Sequence, residues 1–290
     1  MSTLVNGRPS SGSREPGKLG TYLSQIKDKA EWATNVRRTS RNWPEVLTRT
    51  ALSVVGHNRG TFAFKTRSGL TLRCPAYRAA IVAVLEVLAN DCYRLEEIEW
   101  AAAARSYRVL DVGAHVGSFT CMLSRYLPGA TFTCVEPSGT TAGWLQQNLA
   151  GNHLSERANV IQAGVAETDG MSTLWEKAPG DSGASVNSWR GTKPAEMRTY
   201  TFDTLVQLAG GPPDIVKIDC EGGEYAAILS SSGQAWHNAS HLFLEYHPAK
   251  DHNSGELKDR LSELGLQLTW EEPAALPGLG LAYFRRSGPG

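Results

Sequence analysis

The sequence lacks the features that mark several common protein classes. Its five cysteines are scattered, with no CxxC pair and no spacing typical of a disulfide framework. Lysine plus arginine and aspartate plus glutamate each number 29, so no net positive charge favours nucleic-acid phosphates. No apolar run is long enough to cross a bilayer. We therefore expect a cytoplasmic protein with reduced thiols that binds neither nucleic acid nor membrane.

The first third of the chain differs from the rest in composition and in its pattern of apolar residues. Residues 1–20 are rich in Gly, Ser and Pro and are predicted to be a disordered leader without a secretory signal. Residues 21–105 are predicted to form an N-terminal, mainly helical region that includes two short strand-like runs. A basic surplus in this region indicates a solvated helix face. One continuous basic patch would instead keep a nucleic-acid substrate open.

Residues 106–290 alternate short apolar or β-branched runs with helical stretches, which predicts βαβ units and a parallel sheet. An inserted β-hairpin and loop is expected between Gly164 and Pro213, which is too long for a plain loop. Two late runs are expected to close the sheet as an antiparallel pair. The predicted strands of the sheet are Arg108–Asp111, Thr131–Glu136, Asn159–Gln162, Ile215–Asp219, Leu242–Tyr246, Leu266–Trp270 and Leu281–Arg285.

A glycine turn follows the first of these strands. Asp111 ends the strand, Gly113 makes the turn, and Gly117 lies near the start of the next helix. A dinucleotide site would have the spacing GxGxxG, but His115 occupies the middle glycine position, which argues against a nucleotide-dependent oxidoreductase. The Asp111 carboxylate suits the cationic amino-acid portion of S-adenosylmethionine better than an anionic pyrophosphate.

Two further positions extend this cofactor hypothesis. Glu136, at the end of the second strand, is placed to accept hydrogen bonds from both ribose hydroxyls. Its spacing of about 25 residues from Asp111 fits one βαβ unit. Ala163 and Gly164, after the third strand, either lie against the adenine or belong to an ordinary loop.

The fourth strand carries Lys217 and is followed by three acidic residues, a pattern that invites a functional explanation. If the strand order reverses here, Asp219 lies opposite Gly113 at the switch-point crevice. His247, after the fifth strand, is the first candidate for a general base, with Asp219 or Glu245 orienting it. Alternatively, His247 only caps the strand, and the proton leaves through Asp219 or a bound divalent cation.

A metal site is not assigned from this pattern. The acidic residues after the fourth strand, together with His247, could supply oxygen and nitrogen ligands. However, Glu221 and Glu224 also fit the first turn of the next helix, where pairing with the helix dipole is the simpler interpretation.

Between about Ser106 and His247 the chain resembles the FkbM-type methyltransferases. The pieces that carry the resemblance are VLDVGAHVGSFT, CVEPS, LQQNLAGNHL, TFDTL, DIVKIDCEGGEYAAIL and LFLEYH. The block KIDCEGGE is close to the KIDVEGAE-like signature of that family. The chain departs from the family at His115, where Asn is usual, and at Gly223, where Ala is commoner.

The resemblance implies a class I methyltransferase fold, a Rossmann-like, doubly wound and mostly parallel seven-stranded sheet, with S-adenosylmethionine as donor. By position it places Asp111, Gly113, Gly117, Glu136 and Asp219 on the cofactor or substrate side. Tyr93 either folds over the cofactor as part of a lid or packs in the interior. The turn and the resemblance together give the cofactor-binding residues Asp111, Gly113, Ala114, His115, Gly117, Ser118, Phe119, Glu136, Pro137, Ser138, Ala163, Gly164, Asp219 and Tyr93.

The resulting functional hypothesis is O-methylation of a hydroxyl on a sugar or a secondary metabolite in natural-product biosynthesis, with Asp219 and His247 as catalytic residues. N-methylation, carboxyl methylation and a non-catalytic S-adenosylmethionine-binding protein remain alternatives. The oligomeric state stays open, a homo-oligomer included.

Overall fold

The computed structural model describes residues 30–56, 59–100, 106–176 and 193–286. The predicted leader over residues 1–20 lies outside these ranges. The N-terminal region contains α1 (residues 30–39), α2 (Trp43–Val54), β1 (Thr61–Lys65), β2 (Thr71–Pro75) and α3 (Arg78–Leu88). Strands β1 and β2 pair antiparallel. Pro44 lies in the first turn of α2, where its missing N–H has no helical partner to lose.

The remaining elements alternate strand and helix, as expected for βαβ units. In chain order they are β3 (Arg108–Val112), α4 (Ser118–Tyr126), β4 (Thr131–Val135), α5 (Gly139–Gly151), β5 (Ala158–Ile161), β6 (Gly164–Val165), β7 (Gly170–Glu176), β8 (Lys193–Tyr200), α6 (Phe202–Leu208), β9 (Ile215–Ile218), α7 (Glu224–Leu229), β10 (His241–Tyr246), α8 (Ser254–Glu263), β11 (Leu266–Pro273) and β12 (Gly280–Arg286).

Seven of these strands form one sheet in the order β11-β12-β10-β9-β3-β4-β5. The five strands from β10 to β5 are parallel, and β12 pairs antiparallel with both β10 and β11. The prediction of a mostly parallel, doubly wound sheet of seven strands is confirmed. Strand β3 lies between β4 and β9, so the strand order reverses at β3, and ligands bind at such a switch point.

Apolar side chains cover both faces of this sheet. Val109 of β3 belongs to the core that also contains Phe119 of α4 and Leu145 of α5. The next residue, Leu110, belongs to the opposite core, which contains Trp236. Successive residues of a strand point to opposite faces, so the apolar pair Val109-Leu110 requires cover on both sides.

The N-terminal region shares the first of these cores with α4 and α5. Phe62 and Leu72 of the hairpin are fully buried in it. Two asparagines of the α5 segment hold β2 by its backbone. Asn148 accepts a hydrogen bond from the N–H of Arg73 and donates one to its carbonyl, both at 2.8 Å. Asn152 binds Thr71 in the same way at 2.9 Å. These bonds fix β2 and the start of α3 beside the sheet.

A separate three-stranded sheet lies between β5 and α6, in the order β6-β8-β7. Strands β7 and β8 pair antiparallel, and β8 pairs parallel with β6. Leu174 and Met197 of this sheet are buried. The insertion therefore attaches next to the end of β5 and brings apolar side chains to the carboxyl edge of the main sheet.

Within the described ranges, no helix combines the length and the apolarity that a membrane crossing requires. All five cysteines are free, and each is buried or half-buried.

Candidate functional site

A cleft of about 1020 Å³, including the part that opens to solvent, lies at the carboxyl edge of the main sheet. Helix α3 forms one wall, and the insertion sheet forms another. Its lining includes eleven of the fourteen predicted cofactor residues, namely Tyr93, Gly113, Ala114, His115, Ser118, Phe119, Glu136, Pro137, Ala163, Gly164 and Asp219, the last of which is also a catalytic candidate. That edge is where a doubly wound fold binds its ligands.

The glycine turn forms the floor of the cleft. Gly113 has a φ of +77°, and a Cβ there would lie 1.7 Å from the backbone oxygen of Asp219. Only glycine therefore allows the turn after β3 to approach the end of β9 so closely. The N–H groups of Gly113 and Ala114 both donate to the carbonyl of Val135, at 2.9 and 3.0 Å. The predicted juxtaposition of Gly113 and Asp219 is confirmed.

Glu136 is held in the wall of the cleft by two backbone N–H groups. Its Oε2 accepts from His115 at 2.9 Å, and its Oε1 accepts from Ser138 at 3.0 Å. His115 has a φ of +49°, so the turn presents its N–H to this carboxylate. A carboxylate oxygen can accept more than one hydrogen bond, so Glu136 keeps capacity towards the cleft.

Asp111 does not line the cleft, which corrects the expectation that its carboxylate faces the cofactor. It is fully buried, accepts a hydrogen bond from Thr120 at 2.7 Å, and lies 3.5 Å from Nζ of Lys217. The physical reason is strand pairing, because Asp111 on β3 and Lys217 on β9 are neighbours in register. Burial raises the pKa of Asp111, and the Lys217 charge and the Thr120 hydroxyl oppose that rise.

Lys217 connects Asp111 to the cleft. Its ammonium donates to the carbonyl of Gly113 at 2.6 Å and lies 3.3 Å from Oδ2 of Asp219. Burial alone would lower the pKa of Lys217, but Asp219 and Asp111 outweigh it and raise the pKa. The lysine therefore remains charged and joins the glycine turn to two carboxylates. The sequence signal for it was a charged residue in the middle of a buried strand.

Two other predicted cofactor residues serve the packing of helices instead of lining the cleft. Gly117 precedes α4 with a φ of +87°, and a Cβ there would lie 2.7 Å from Cδ1 of Leu145. Ser138 is buried, and its hydroxyl accepts the N–H of Thr141 as the N-cap of α5. Both residues shape the cleft indirectly, through the helices that they start.

The aromatic part of the cleft belongs to the interior. Tyr93 is 3% exposed, and its ring makes edge contacts with Phe119 and Phe243 at centroid distances of 5.1 and 5.8 Å. This packing favours the interior alternative over a lid for Tyr93, although the residue still borders the cleft. Across the cleft, a Cβ on Gly164 would lie 3.1 Å from Met197 of the insertion, so the absence of a side chain keeps this part open.

The far end of the cleft is acidic. Asp219 follows β9, Glu245 lies on β10, Glu221 follows Asp219 closely in sequence, and Glu86 reaches in from α3. Among the described residues that line the cleft, Lys217 is the only lysine or arginine. No local pattern in the sequence pointed to Glu86, because α3 precedes β9 by more than a hundred residues.

His247 does not line the cleft, which corrects its assignment as the first candidate for the base. It is 4% exposed and lies behind Glu245. Glu224, fully buried, accepts the backbone N–H of His247 at 2.6 Å and lies 3.1 Å from its Nδ1. Glu224 therefore does more than pair with the dipole of α7. Burial lowers the pKa of His247, but the hydrogen bond and charge of Glu224 reverse this and raise it.

The other ring nitrogen of His247 faces two carboxylates. Its Nε2 lies 3.5 Å from Oε2 of Glu221 and 3.7 Å from Oε1 of Glu245. Asp219, Glu245 and His247 each offer one atom, and these three atoms lie within 4.8 Å of one another. Such a group can share protons.

A family model described as the methyltransferase FkbM domain matches residues 111–268, more than half of the chain. No curated protein matches. Among solved structures, precorrin-6y C5,15-methyltransferase from Geobacter metallireducens GS-15 is 13% identical, with a TM-score of 0.40 over 68% of this chain and 86% of that one.

Two further similar structures were solved with the cofactor bound. Magnesium protoporphyrin IX methyltransferase from Synechocystis PCC 6803 with bound SAM is 16% identical, with a TM-score of 0.39 over 72% of this chain and 78% of that one. TYW2 from M. jannaschii in complex with AdoMet is 15% identical, with a TM-score of 0.38 over 78% of this chain and 87% of that one.

Proposed function

Because this chain belongs to the FkbM methyltransferase domain family, we propose that it transfers a methyl group from S-adenosylmethionine to a hydroxyl of a small molecule. The observation that carries this proposal is one cleft in which the glycine turn, Glu136 and the acidic end of β9 meet. The acceptor class that we propose is a sugar or a secondary metabolite of natural-product biosynthesis.

The residues of the cleft fit S-adenosylmethionine as the cofactor. We assign the ribose hydroxyls to Glu136, whose orientation is fixed by two backbone N–H groups. Pro137, Ala163 and Gly164 border the part where an adenine ring would lie. The acidic end suits a ligand that carries both a sulfonium and an ammonium group. Asp111 acts on this ligand only through Lys217 and the turn.

When bound, S-adenosylmethionine supplies an electrophilic methyl group on a positively charged sulfur. The protein then has to align an acceptor oxygen with the methyl carbon and exclude water. Asp219 lies where β9 meets the glycine turn, so we place the acceptor next to its carboxylate. Leu174 and Met197 of the insertion offer the apolar wall against which a small acceptor can pack.

An amine acceptor is the second candidate, and the surplus of carboxylates in the cleft favours it. Glu86 and Glu221 would attract a cationic ammonium group as well as they attract the cofactor. The same charges disfavour a carboxylate acceptor. The five free thiols suit a reducing compartment, so we place the reaction in the cytoplasm.

Calorimetric titration tests the cofactor assignment directly. We expect S-adenosylmethionine and S-adenosylhomocysteine to bind with a stoichiometry of one, and NAD(P)H not to bind. Glu136→Gln should weaken both adenosyl ligands about tenfold or more, since one ribose contact to a charged group is worth roughly 1.5–3 kcal/mol. Glu156→Gln, at an exposed position before β5, is the matched control.

An acceptor screen tests the reaction. Free monosaccharides, phenols and primary amines are incubated with methyl-labelled S-adenosylmethionine, and transfer of label is measured. Label on hydroxyl compounds supports the main proposal, and label on amines alone favours the second candidate. Binding of NAD(P)H without binding of either adenosyl ligand would contradict both.

A further inference from the structure

The carboxylate that faces the acceptor end of the cleft from β10 is Glu245. It lines the cleft together with Asp219, and its side chain is 35% exposed there. His247, two residues further, lies behind it and is buried. A proton acceptor has to reach the hydroxyl of the acceptor within hydrogen-bond distance or through one water. Position alone therefore favours Glu245 over His247 for this role.

His247 lies behind Glu245, and the orientation of its ring is fixed. Glu224 binds both the backbone N–H and Nδ1 of this histidine, so the ring cannot turn freely. Its Nε2 then faces Oε2 of Glu221 at 3.5 Å and Oε1 of Glu245 at 3.7 Å. The order Glu224, His247, Glu245 leads from the fully buried interior to the cleft. A carboxylate behind a histidine fixes the direction of its ring, as in other sites where a histidine supports a reacting group.

Glu245 faces charged groups from its own strand and from two other elements. Asp219 and Lys217 lie on the β9 side, His247 follows on its own strand, and Glu86 faces it from α3. The negative charge of Asp219, followed by burial, raises the pKa of Glu245 to about 8. A carboxylate that titrates near neutral pH is matched to proton transfer in that range. Asp219 is the less suitable acceptor, because its charge is already engaged by Lys217 at 3.3 Å.

We propose that Glu245 is the catalytic base of this methyltransferase and that His247, held by Glu224, is its positioning residue. The inference rests on the proposed hydroxyl methylation. As the acceptor oxygen bonds to the methyl carbon, the carbon–sulfur bond breaks and its electron pair stays on sulfur. The proton of the hydroxyl passes to a carboxylate oxygen of Glu245 and afterwards to solvent through the open side of the cleft.

The first test compares Glu245→Gln with wild type on a hydroxyl acceptor from the screen. We expect kcat to fall by about 10²–10⁴-fold, the usual contribution of a general base. The Kd for S-adenosylmethionine should stay within about threefold, and Glu245→Asp should recover part of the activity. Glu263→Gln, an exposed glutamate at the end of α8, is the control and should keep full activity. An unchanged kcat in Glu245→Gln overturns the proposal.

The pH profile separates the base from its support. Activity needs Glu245 deprotonated, so kcat/KM of wild type should rise with pH through the neutral range. Glu245→Gln should lose this rising limb of the pH profile. His247→Gln should keep the limb at a displaced pH, with a smaller loss of kcat. If His247→Gln removes the limb while Glu245→Gln retains it, the roles are reversed and the proposal fails.

Two further measurements test the carboxylate base. The first tests whether a metal is required, and the second works even if the acceptor screen yields no product. After dialysis against EDTA, full activity supports the carboxylate base, whereas loss that Mg²⁺ or Mn²⁺ restores assigns the proton transfer to a metal and overturns the proposal. Carboxyl NMR of the S-adenosylhomocysteine complex needs no acceptor. A signal that titrates near neutral pH and vanishes in Glu245→Gln supports the base even if the screen yields no product. A Glu245 that stays ionised down to pH 5 contradicts it.

Discussion

Two acid–base pairs lie at the same edge of the main sheet, and they differ in what surrounds them. Asp111 and Lys217, on β3 and β9, are buried, with side-chain exposures of 0% and 5%. In the second pair, at the end of β10, Glu245 is open to the cleft and 35% exposed, whereas His247 is buried behind it. The first pair has an ammonium between two carboxylates. The second has one imidazole among three carboxylates, counting Glu221 and Glu224.

This difference indicates a structural role for the first pair and a role in proton transfer for the second. In the first pair the charges are fixed, because each group stabilises the ionised form of the other, and the lysine also binds the glycine turn. In the second pair three carboxylates surround one imidazole, so protons distribute among the groups. The buried pair with a permanent ammonium therefore holds the shape of the cleft, and the open pair can take up a proton during a reaction.

The substitution with the largest expected effect disturbs the glycine turn that Lys217 holds next to the end of β9. Gly113→Ala would place a Cβ 1.7 Å from the backbone oxygen of Asp219 at a φ of +77°. Strain and the forced backbone shift should together lower the free energy of unfolding by about 2–6 kcal/mol. Urea denaturation measures this. Gly129→Ala, with no atom within 4 Å of the added Cβ, should change stability far less. Equal stability of both variants contradicts the close approach.

Removal of the lysine breaks the first pair alone. Lys217→Met leaves Asp111 buried without a cation, and breaking a buried pair in this way costs roughly 3–5 kcal/mol. Lys258→Met is the control, because Lys258 pairs with Glu271 at the surface, 2.6 Å away. Such a partly exposed pair is worth about 0–1 kcal/mol. If the two variants lose the same stability, the Asp111–Lys217 pair is not the structural one.

An amide substitution at one carboxylate of each pair separates the effect on stability from the effect on catalysis. Asp111→Asn keeps the size of the side chain but removes the charge opposite Lys217, so stability should fall by roughly 1.5–3 kcal/mol. Its kcat/KM should keep the pH limb of wild type. Glu245→Gln should lose the limb and change the free energy of unfolding by less than about 0.5 kcal/mol. Urea denaturation and pH profiles of both variants test this separation of roles. A variant that changes both the free energy of unfolding and the pH dependence of kcat/KM would contradict it.

The sequence predicted the fold and the turn and ribose positions of the site better than it predicted the buried charges and the acidic end. The strand pattern predicted all seven strands of the main sheet. The turn at Gly113 and the acid at Glu136 were found because each lies at or just beyond a strand end, where position follows from sequence. The orientation of Asp111 could not be predicted in the same way. It depends on which strand lies beside β3, and the partner Lys217 comes from a strand far along the chain.

The acidic end shows the same limit. His247 was placed at the correct edge, but its burial depends on Glu224, whose carboxylate holds it behind Glu245. Periodicity assigns a residue to a face only within a strand, and His247 follows the last residue of β10. Glu86 belongs to the N-terminal region and meets Asp219 only because α5 holds β2 next to the sheet. Contacts between distant segments of the chain leave no local pattern.

The smallest expected effect concerns the charge surplus of the open pair. Glu86 faces Glu245, and its negative charge raises the pKa of Glu245. Glu86→Gln removes this charge. With that negative charge gone, Glu245 ionises more readily, so the limb of kcat/KM should move to lower pH by a fraction of one unit. Glu97→Gln makes the same change of net charge at an exposed position outside the cleft and should leave the profile in place. A limb that moves to higher pH, or that moves equally in both variants, would mean that the charges lining the cleft do not set the proton affinity of Glu245.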